Sequence, residues 1–225
     1  IDFENELSSK VSEHGGRHPL PNAEKFISAM EKHGISDQTE VVIYDDGDLA
    51  GAGRLWWLFK YIGKNNVYVL DGGIPLWKKK GYKTSNTESK SSTTGKLSSN
   101  VQSSILCDVN YVKTKLNDPD TVLVDSRAAE RYQGLTEPVD RIPGHIPGAV
   151  NFPYGEAIKD GVVISIEELN IRFQDLNNKN IVVYCGSGVT GCVNFLLLEE
   201  IGMKPVLYSG SYSDWVSYPE NEVEK

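Results

Sequence analysis

The residues most able to do chemistry lie in one short loop, Cys185-Gly186-Ser187-Gly188-Val189-Thr190, called here the Cys185 loop. A β-branched run before it predicts a buried strand, and an apolar run after it predicts a helix. Small residues let successive backbone N–H groups turn inward as a nest for an anion, and the dipole of the following helix adds positive potential. A thiol held there is stabilised as thiolate, and the same groups would stabilise the terminal sulfur of a persulfide. We therefore expect Cys185 to be a nucleophile that accepts an atom and passes it on.

The other two cysteines are expected to be structural. Cys192 lies among apolar residues of the predicted helix, and Cys107 follows Ile105 and Leu106. An odd number of cysteines without a Cys-x-x-Cys pair argues against a disulfide framework and against a structural zinc site. We expect a reducing, cytoplasmic setting, and neither a metal nor an organic cofactor.

A cysteine phosphatase would use the same strand, loop and helix. Its chemistry needs an arginine after a loop of five residues, to hold the phosphoryl oxygens. Counted from Cys185, that position is Gly191, and the Cys185 loop contains no cationic residue. The sequence therefore argues against phosphatase chemistry.

The composition restricts the possible partners. Of the 225 residues, 39% are hydrophobic and 24% are charged, and the formal net charge is −8. An acidic balance argues against a nucleic-acid-binding surface, which needs clustered lysine and arginine. No apolar run approaches the roughly 20 residues that cross a bilayer, so neither nucleic acid nor a membrane is an expected partner.

The elements that must position the loop occur twice along the chain. Val41–Tyr44 and Ile181–Tyr184 are short β-branched runs, and each is followed by a loop and a helical pattern. Both helical patterns end at a glycine, Gly63 or Gly202, where a left-handed residue is expected, and both lead into another apolar run. A duplicated strand–loop–helix–strand unit predicts an α/β fold with two domains, each a mostly parallel sheet with helices on both faces.

The duplication also divides the chain. The first copy, residues 1–83, has Asp45 where the second has Cys185, so only the second copy can do thiol chemistry. Residues 84–104 are rich in serine, threonine, lysine and asparagine, which is the composition of a linker, and residues 105–225 form the catalytic domain. Alignment of the copies suggests that roughly 35 residues of the first domain would precede Ile1.

The chain resembles the tandem-domain rhodaneses, a family that includes thiosulfate and 3-mercaptopyruvate sulfurtransferases. The resemblance is carried by the Cys185 loop, by the Gly-His-Ile-Pro-Gly-Ala-Val-Asn turn that begins at Gly144, by the Leu-Asp-Gly-Gly segment that begins at Leu70, and by the duplication. It covers nearly the whole chain. It implies two rhodanese-like domains and transfer of sulfane sulfur from a small anionic donor, through a Cys185 persulfide, to a thiol, thioredoxin-like or cyanide acceptor.

Within the family, the Gly-Ser-Gly sequence resembles that of members that use 3-mercaptopyruvate. Members that use thiosulfate tend to carry cations inside the loop, to hold a dianion. The resemblance therefore favours 3-mercaptopyruvate as donor. A thiosulfate:cyanide sulfurtransferase and a non-enzymatic sulfur carrier or regulatory module are the alternatives.

The resemblance also assigns substrate-binding roles. Arg131 matches an arginine that grips the substrate carboxylate, and Arg141 is a candidate for a second clamp. The remaining substrate contacts are expected from the loop itself, through Gly186, Gly188, Val189 and Thr190.

A proton relay of hydroxyl, imidazole and carboxylate is the last implication of the resemblance. Ser187 matches the hydroxyl, and His18, in the segment Gly-Gly-Arg-His-Pro-Leu-Pro, matches the imidazole. The carboxylate would be Asp2 or Glu4. Cys185, Ser187 and His18 are therefore the expected catalytic residues.

Overall fold

The computed structural model describes residues 1–87 and 93–225, so residues 88–92 of the predicted linker lie outside the described residues. The helices are α1 (Phe3–Glu6), α2 (Ala23–Lys32), α3 (Ala50–Tyr61), α4 (Gly73–Lys79), α5 (Val109–Lys115), α6 (Ala129–Tyr132), α7 (Ile166–Arg172), α8 (Gly191–Glu200) and α9 (Ser211–Trp215). The strands are β1 (Val41–Ile43), β2 (Val67–Val69), β3 (Leu106–Cys107), β4 (Thr121–Asp125), β5 (Val150–Asn151), β6 (Ile158–Lys159), β7 (Val162–Val163), β8 (Asn180–Tyr184) and β9 (Val206–Tyr208).

Parallel sheets form the framework of both halves of the chain. Five strands pair in the order β3-β9-β8-β4-β5, and every pair in that sheet is parallel. In the first half β1 pairs with β2, also in parallel, while β6 and β7 form a small antiparallel hairpin. The predicted α/β class is confirmed.

Strand β8 is buried on both faces, which explains its continuous apolar sequence. Ile181 and Val183 point to one face and pack in a core with residues of α7 and α8. Val182 and Tyr184 point to the other face and pack in a second core with residues of α5 and α9. Helices therefore cover both sides of the sheet, and the end of β8 opens directly into the Cys185 loop.

The repeated unit is present as β1-α3-β2-α4 and again as β8-α8-β9-α9. The two predicted helix-ending glycines, Gly63 and Gly202, both have left-handed backbones, with φ of 86° and 81°. The two equivalent helices, α3 and α8, pack against each other. The Trp57 ring lies 6.2 Å from the Phe195 ring at nearly a right angle, and residues of both halves share one apolar core.

Part of the predicted linker lies against the first half of the chain. The backbone N–H of Asn100 donates to the carbonyl oxygen of Ile62 at 3.0 Å, and Leu97 is buried. The boundaries at residues 83 and 105 stay predictions. Within residues 1–87 and 93–225, no helix is both long and apolar enough to pass through a bilayer.

Candidate active site

The Cys185 loop is held in a buried turn between β8 and α8. The side chain of Cys185 is 1% exposed, and the backbone N–H of Gly188 points at its sulfur, with a distance of 3.1 Å from N to Sγ. Helix α9 makes two hydrogen bonds with the start of the loop. The hydroxyl of Ser211 accepts from the backbone N–H of Cys185 at 3.1 Å, and the backbone N–H of Tyr212 donates to the carbonyl oxygen of Cys185 at 2.9 Å. Of the N–H groups expected to face the thiol, that of Gly188 does so.

Glycine is required at position 188 for two reasons. Its φ is +77°, a left-handed conformation that side chains disfavour. A Cβ atom at Gly188 would also lie 2.1 Å from the carbonyl oxygen of Ser209, well inside contact distance. The sharp turn that aims the Gly188 N–H at sulfur thus depends on the missing side chain.

The equivalent loop in the first half of the chain contains an anion of its own. The carboxylate of Asp45 accepts from the backbone N–H of Gly47 at 2.9 Å and of Ala52 at 3.1 Å. Asp45 stands in the repeat where Cys185 stands in the second half. Backbone N–H groups of equivalent loops therefore face a carboxylate in one copy and a sulfur in the other. This supports the interpretation of the loop as an anion-binding nest.

The two other thiols are in surroundings that keep them protonated. Burial raises the pKa of Cys192 to about 12, and its thiol donates to the carbonyl of Gly188 with a distance of 3.3 Å. Burial also raises the pKa of Cys107 to about 12. Both findings fit the structural roles expected for these cysteines.

His18 and Ser187 are brought together, although 169 positions separate them in the sequence. The Nδ1 atom of His18 lies 2.7 Å from the hydroxyl oxygen of Ser187. Burial lowers the pKa of His18, the charge of Glu4 opposes that shift, and the charges of Arg17 and Arg54 add to it. The imidazole is therefore neutral near pH 7 and can exchange a proton with the hydroxyl.

Of the two candidate carboxylates, Glu4 is the one whose charge acts on His18. The carboxylate of Asp2 instead caps α1, where it accepts from the backbone N–H of Asn5 at 3.1 Å and from its side-chain amide at 2.7 Å. The Phe3 ring packs nearly perpendicular to the imidazole, with ring centres 5.6 Å apart.

Arg54 is a site residue that the sequence analysis did not single out. Its side chain on α3 is fully buried, and its guanidinium donates to the carbonyl oxygens of Gly188 at 2.9 Å, His18 at 3.0 Å and Leu7 at 3.2 Å. Burial lowers the pKa of Arg54. Arg54 thus ties the segment that carries His18 to the Cys185 loop. An arginine among the apolar residues in the first half of this helical pattern was the available signal in the sequence.

Arg131 lies over the loop but is already paired with acids. Its guanidinium donates to Glu137 at 2.8 Å and to Asp140 at 2.8 Å, and both carboxylates are almost fully buried. Asp140 also forms an ion pair with Arg17. A Cβ atom at Gly186 would lie 3.4 Å from the Arg131 guanidinium and 3.0 Å from Nη2 of Arg17.

Arg141 points elsewhere. It is exposed, and its guanidinium donates to the carbonyl oxygen of Val216 at the end of α9. Arg17, rather than Arg141, stands beside Arg131 over the loop. The only signal for Arg17 in the sequence was its position next to His18. Val189 and Thr190 are half-buried and lead into α8, where the carbonyl of Val189 accepts from the N–H of Cys192 at 3.0 Å.

Comparisons with known proteins show which family the chain resembles. The profile of the rhodanese-like domain matches twice, at residues 8–80 and 108–218. A protein of Pseudomonas aeruginosa named "Probable 3-mercaptopyruvate sulfurtransferase" is 38% identical over 230 residues, which cover 99% of this chain and 81% of the relative. An Arabidopsis thaliana protein named thiosulfate/3-mercaptopyruvate sulfurtransferase 1, mitochondrial, is 31% identical, with 92% of this chain and 62% of the relative covered.

A solved structure gives the same result. The 3-mercaptopyruvate sulfurtransferase from Leishmania major superposes with a TM-score of 0.79 at 31% identity, and the match covers 95% of this chain and 61% of that chain. Two rhodanese-like segments and the expected enzyme class, a sulfurtransferase, are thereby confirmed. The chain belongs to the rhodanese family of sulfurtransferases.

Proposed function

We propose that this sulfurtransferase takes sulfur from 3-mercaptopyruvate and carries it as a persulfide on Cys185. The observation that carries the proposal is the contact of 2.7 Å between Nδ1 of His18 and the hydroxyl of Ser187, two residues after the thiol. A hydroxyl and a neutral imidazole can move a proton beside the reacting sulfur. The backbone N–H of Gly188, which points at the Cys185 sulfur, supplies positive potential for the charged sulfur.

The reaction then has two steps. In the first, the Cys185 thiolate attacks the sulfur of 3-mercaptopyruvate, an S–S bond forms, and the C–S bond breaks with its electron pair left on carbon. The resulting enolate of pyruvate takes up a proton, and a cysteine persulfide stays on the protein. In the second step a thiol, a thioredoxin-like reductant or cyanide attacks the outer sulfur, and the Cys185 thiolate leaves.

The proton relay is the feature that separates the two candidate donors. Release of pyruvate requires a proton at carbon, which the Ser187 and His18 pair can deliver. Cleavage of thiosulfate releases sulfite without proton transfer to carbon, so that reaction has no use for the relay. Arg131, which lies over Gly186, supplies positive charge for the donor's carboxylate from outside the uncharged loop.

The test is a parallel measurement of kcat/KM with 3-mercaptopyruvate and with thiosulfate, with cyanide as acceptor. We expect a clear preference for 3-mercaptopyruvate, loss of turnover in Cys185→Ser, and unchanged turnover in the control Cys107→Ser. Ser187→Ala should lower kcat/KM about 10²-fold for 3-mercaptopyruvate, as for loss of a general acid–base group, and leave the thiosulfate rate nearly unchanged. Preference for thiosulfate with no effect of Ser187→Ala would contradict the proposed donor, and activity in Cys185→Ser would contradict the nucleophile.

We also infer a cytoplasmic location, on the basis of the three unpaired cysteines. Cell fractionation with an antibody to the protein would test it, and recovery in an oxidising compartment would contradict it.

A further inference from the structure

We propose that Arg54 is a positioning residue whose buried positive charge is the counter-charge of the Cys185 sulfur. From helix α3, in the first half of the chain, it favours the anionic form of that sulfur, both as thiolate and as persulfide. The inference rests on the proposed function only for the role of Cys185 as sulfur carrier, and it is the same for either donor.

Arg54 is a buried cation without an acidic partner. Its side chain is fully buried. All hydrogen bonds of its guanidinium go to backbone carbonyl oxygens, those of Leu7, His18 and Gly188. Within residues 1–87 and 93–225, no aspartate or glutamate forms an ion pair with it. The positive charge of Arg54 is therefore not neutralised by any carboxylate of the described chain.

A buried arginine in the second half of the chain shows the usual alternative. Arg127 is 2% exposed, and its guanidinium donates to the carboxylate of Asp125 at 2.6 Å. Moving a charge out of water is costly unless an opposite charge lies nearby. The carbonyl dipoles around Arg54 offset part of that cost, but they carry no net charge. The surroundings of Arg54 therefore favour an anion close by.

The Cys185 sulfur is the group that can supply this anion. Nη1 of Arg54 donates to the carbonyl oxygen of Gly188 at 2.9 Å, and the N–H of the same glycine points at the Cys185 sulfur. Burial lowers the pKa of Arg54, and negative charge on Cys192 or on Cys185 raises it. Burial raises the pKa of Cys192 to about 12, so that thiol stays protonated near pH 7. This leaves Cys185 as the counter-charge.

The same cation acts on the imidazole of the proton relay. Arg54 donates to the backbone carbonyl of His18 at 3.0 Å. Burial lowers the pKa of His18, and the charges of Arg17 and Arg54 lower it further, against the opposing charge of Glu4. A positive charge here disfavours a second one on the imidazole and favours a negative one on the sulfur. One buried residue thus supports both protonation states from which sulfur transfer starts.

Arg17 and Tyr154 also interact with the charge of Cys185. The Arg17 side chain is 29% exposed and forms an ion pair with Asp140, so water and a carboxylate both weaken its effect on the sulfur. Burial raises the pKa of Tyr154, which keeps its hydroxyl neutral near pH 7. Arg54 is buried and has no acidic partner, and its charge is therefore screened less than that of Arg17.

Alkylation of Cys185 at two pH values tests this charge without any sulfur donor. Only the thiolate reacts with iodoacetamide, so the ratio of the rate at pH 10 to that at pH 7 rises as less of the thiol is ionised at pH 7. Access of the reagent cancels in this ratio. Peptide mass spectrometry separates Cys185 from Cys107 and Cys192. Arg54→Gln keeps N–H donors for the carbonyls but loses the charge, and we expect it to raise the ratio about tenfold, the change for one pH unit.

Two further variants separate charge from geometry. Arg54→Lys keeps the positive charge and should stay close to the wild-type ratio. The matched control Lys60→Gln removes a partly exposed cation of the same helix, which pairs with Glu199, and should also keep that ratio. A folded Arg54→Gln protein with the wild-type ratio would overturn the inference. It would be equally wrong if Arg54→Lys behaved like Arg54→Gln, because the effect would then come from geometry. If the ratios are as expected but Cys185→Ser keeps turnover, the counter-charge stands and the proposed sulfur carrier is wrong.

A second measurement leaves Arg54 in place and serves if Arg54→Gln does not fold. The equivalent loop of the first half holds the carboxylate of Asp45, so Cys185→Asp places a similar anion in the second loop. Cys185→Asn places a neutral group of nearly the same size there. We expect Cys185→Asp to have the higher melting temperature at pH 7, because its carboxylate replaces the counter-charge of Arg54. Equal melting temperatures, or a more stable Cys185→Asn, would contradict the inference.

Discussion

The backbone at Gly188 offers the sharpest test of how the loop works, because a second glycine of this chain shares its left-handed conformation but not its crowded surroundings. Gly188 and Gly202 both have left-handed φ angles, 77° and 81°. A Cβ atom at Gly202 would meet nothing within 4 Å, whereas one at Gly188 would lie 2.1 Å from the carbonyl oxygen of Ser209. Alanine at both positions therefore separates the effect of conformation from the effect of crowding.

The expected losses of stability follow from these two contributions. Alanine in a left-handed conformation costs about 1–2 kcal/mol, which is the whole effect expected for Gly202→Ala. In Gly188→Ala the contact with Ser209 forces a backbone shift, and overpacking of this kind adds about 1–3 kcal/mol. Urea unfolding should therefore give a loss of about 2–5 kcal/mol for Gly188→Ala and about half of that or less for Gly202→Ala.

Activity should differ more than stability. A shift at Gly188 moves its N–H away from the Cys185 sulfur, which it now reaches at 3.1 Å. A hydrogen bond to a charged group contributes about 1.5–3 kcal/mol, so kcat/KM for sulfur transfer should fall about 10- to 100-fold. Gly202→Ala should keep wild-type activity at temperatures where it is folded. Equal losses of stability in the two variants, or full activity in Gly188→Ala, would refute the reasoning.

Three further predictions concern the groups around the loop. Arg131→Ala should raise KM for the donor about tenfold and also lower the melting temperature, because it leaves the buried carboxylates of Glu137 and Asp140 with fewer partners; an unchanged KM would remove Arg131 from the clamp. Burial lowers the pKa of His18. As the pH falls below about 6.5, the imidazole is therefore protonated more readily in the unfolded chain than in the folded one, and the free energy of unfolding decreases. His18→Asn should flatten this part of the pH–stability curve, and an unaltered curve would contradict the burial argument. Arg54→Met leaves the carbonyls of Leu7, His18 and Gly188 without a donor and should cost about 3 kcal/mol in urea unfolding; a stable variant would show that these carbonyls find other partners.

The sequence predicts the regular elements of this fold well because their signals are local. The β-branched run Ile181–Tyr184 is strand β8, which begins one residue earlier, at Asn180. Gly63 and Gly202 end their helices with left-handed backbones as expected. The nest at Cys185 is also a local feature, since it depends on small residues between one strand and one helix.

The surroundings of the thiol are less predictable because distant segments supply them. Residues 8–20 contain no helix or strand, so contacts such as that of Gly16 with Gly210 decide where Arg17 points. The family resemblance made Arg141 a candidate, but its guanidinium donates to the carbonyl oxygen of Val216 instead. The role of Arg54 is not predictable from its apolar helix, because the carbonyl groups to which it donates belong to distant segments.

The site is built between the two halves of the chain, and this has a consequence for its behaviour on dilution. Arg17, His18 and Arg54 precede the linker, while the thiol, Ser187 and Arg131 follow it. Joining two modules by a short linker in one polypeptide gives them an effective concentration on the order of millimolar. Sites shared between separate chains come apart at low concentration by mass action. We therefore expect the specific activity of this protein to be independent of its concentration.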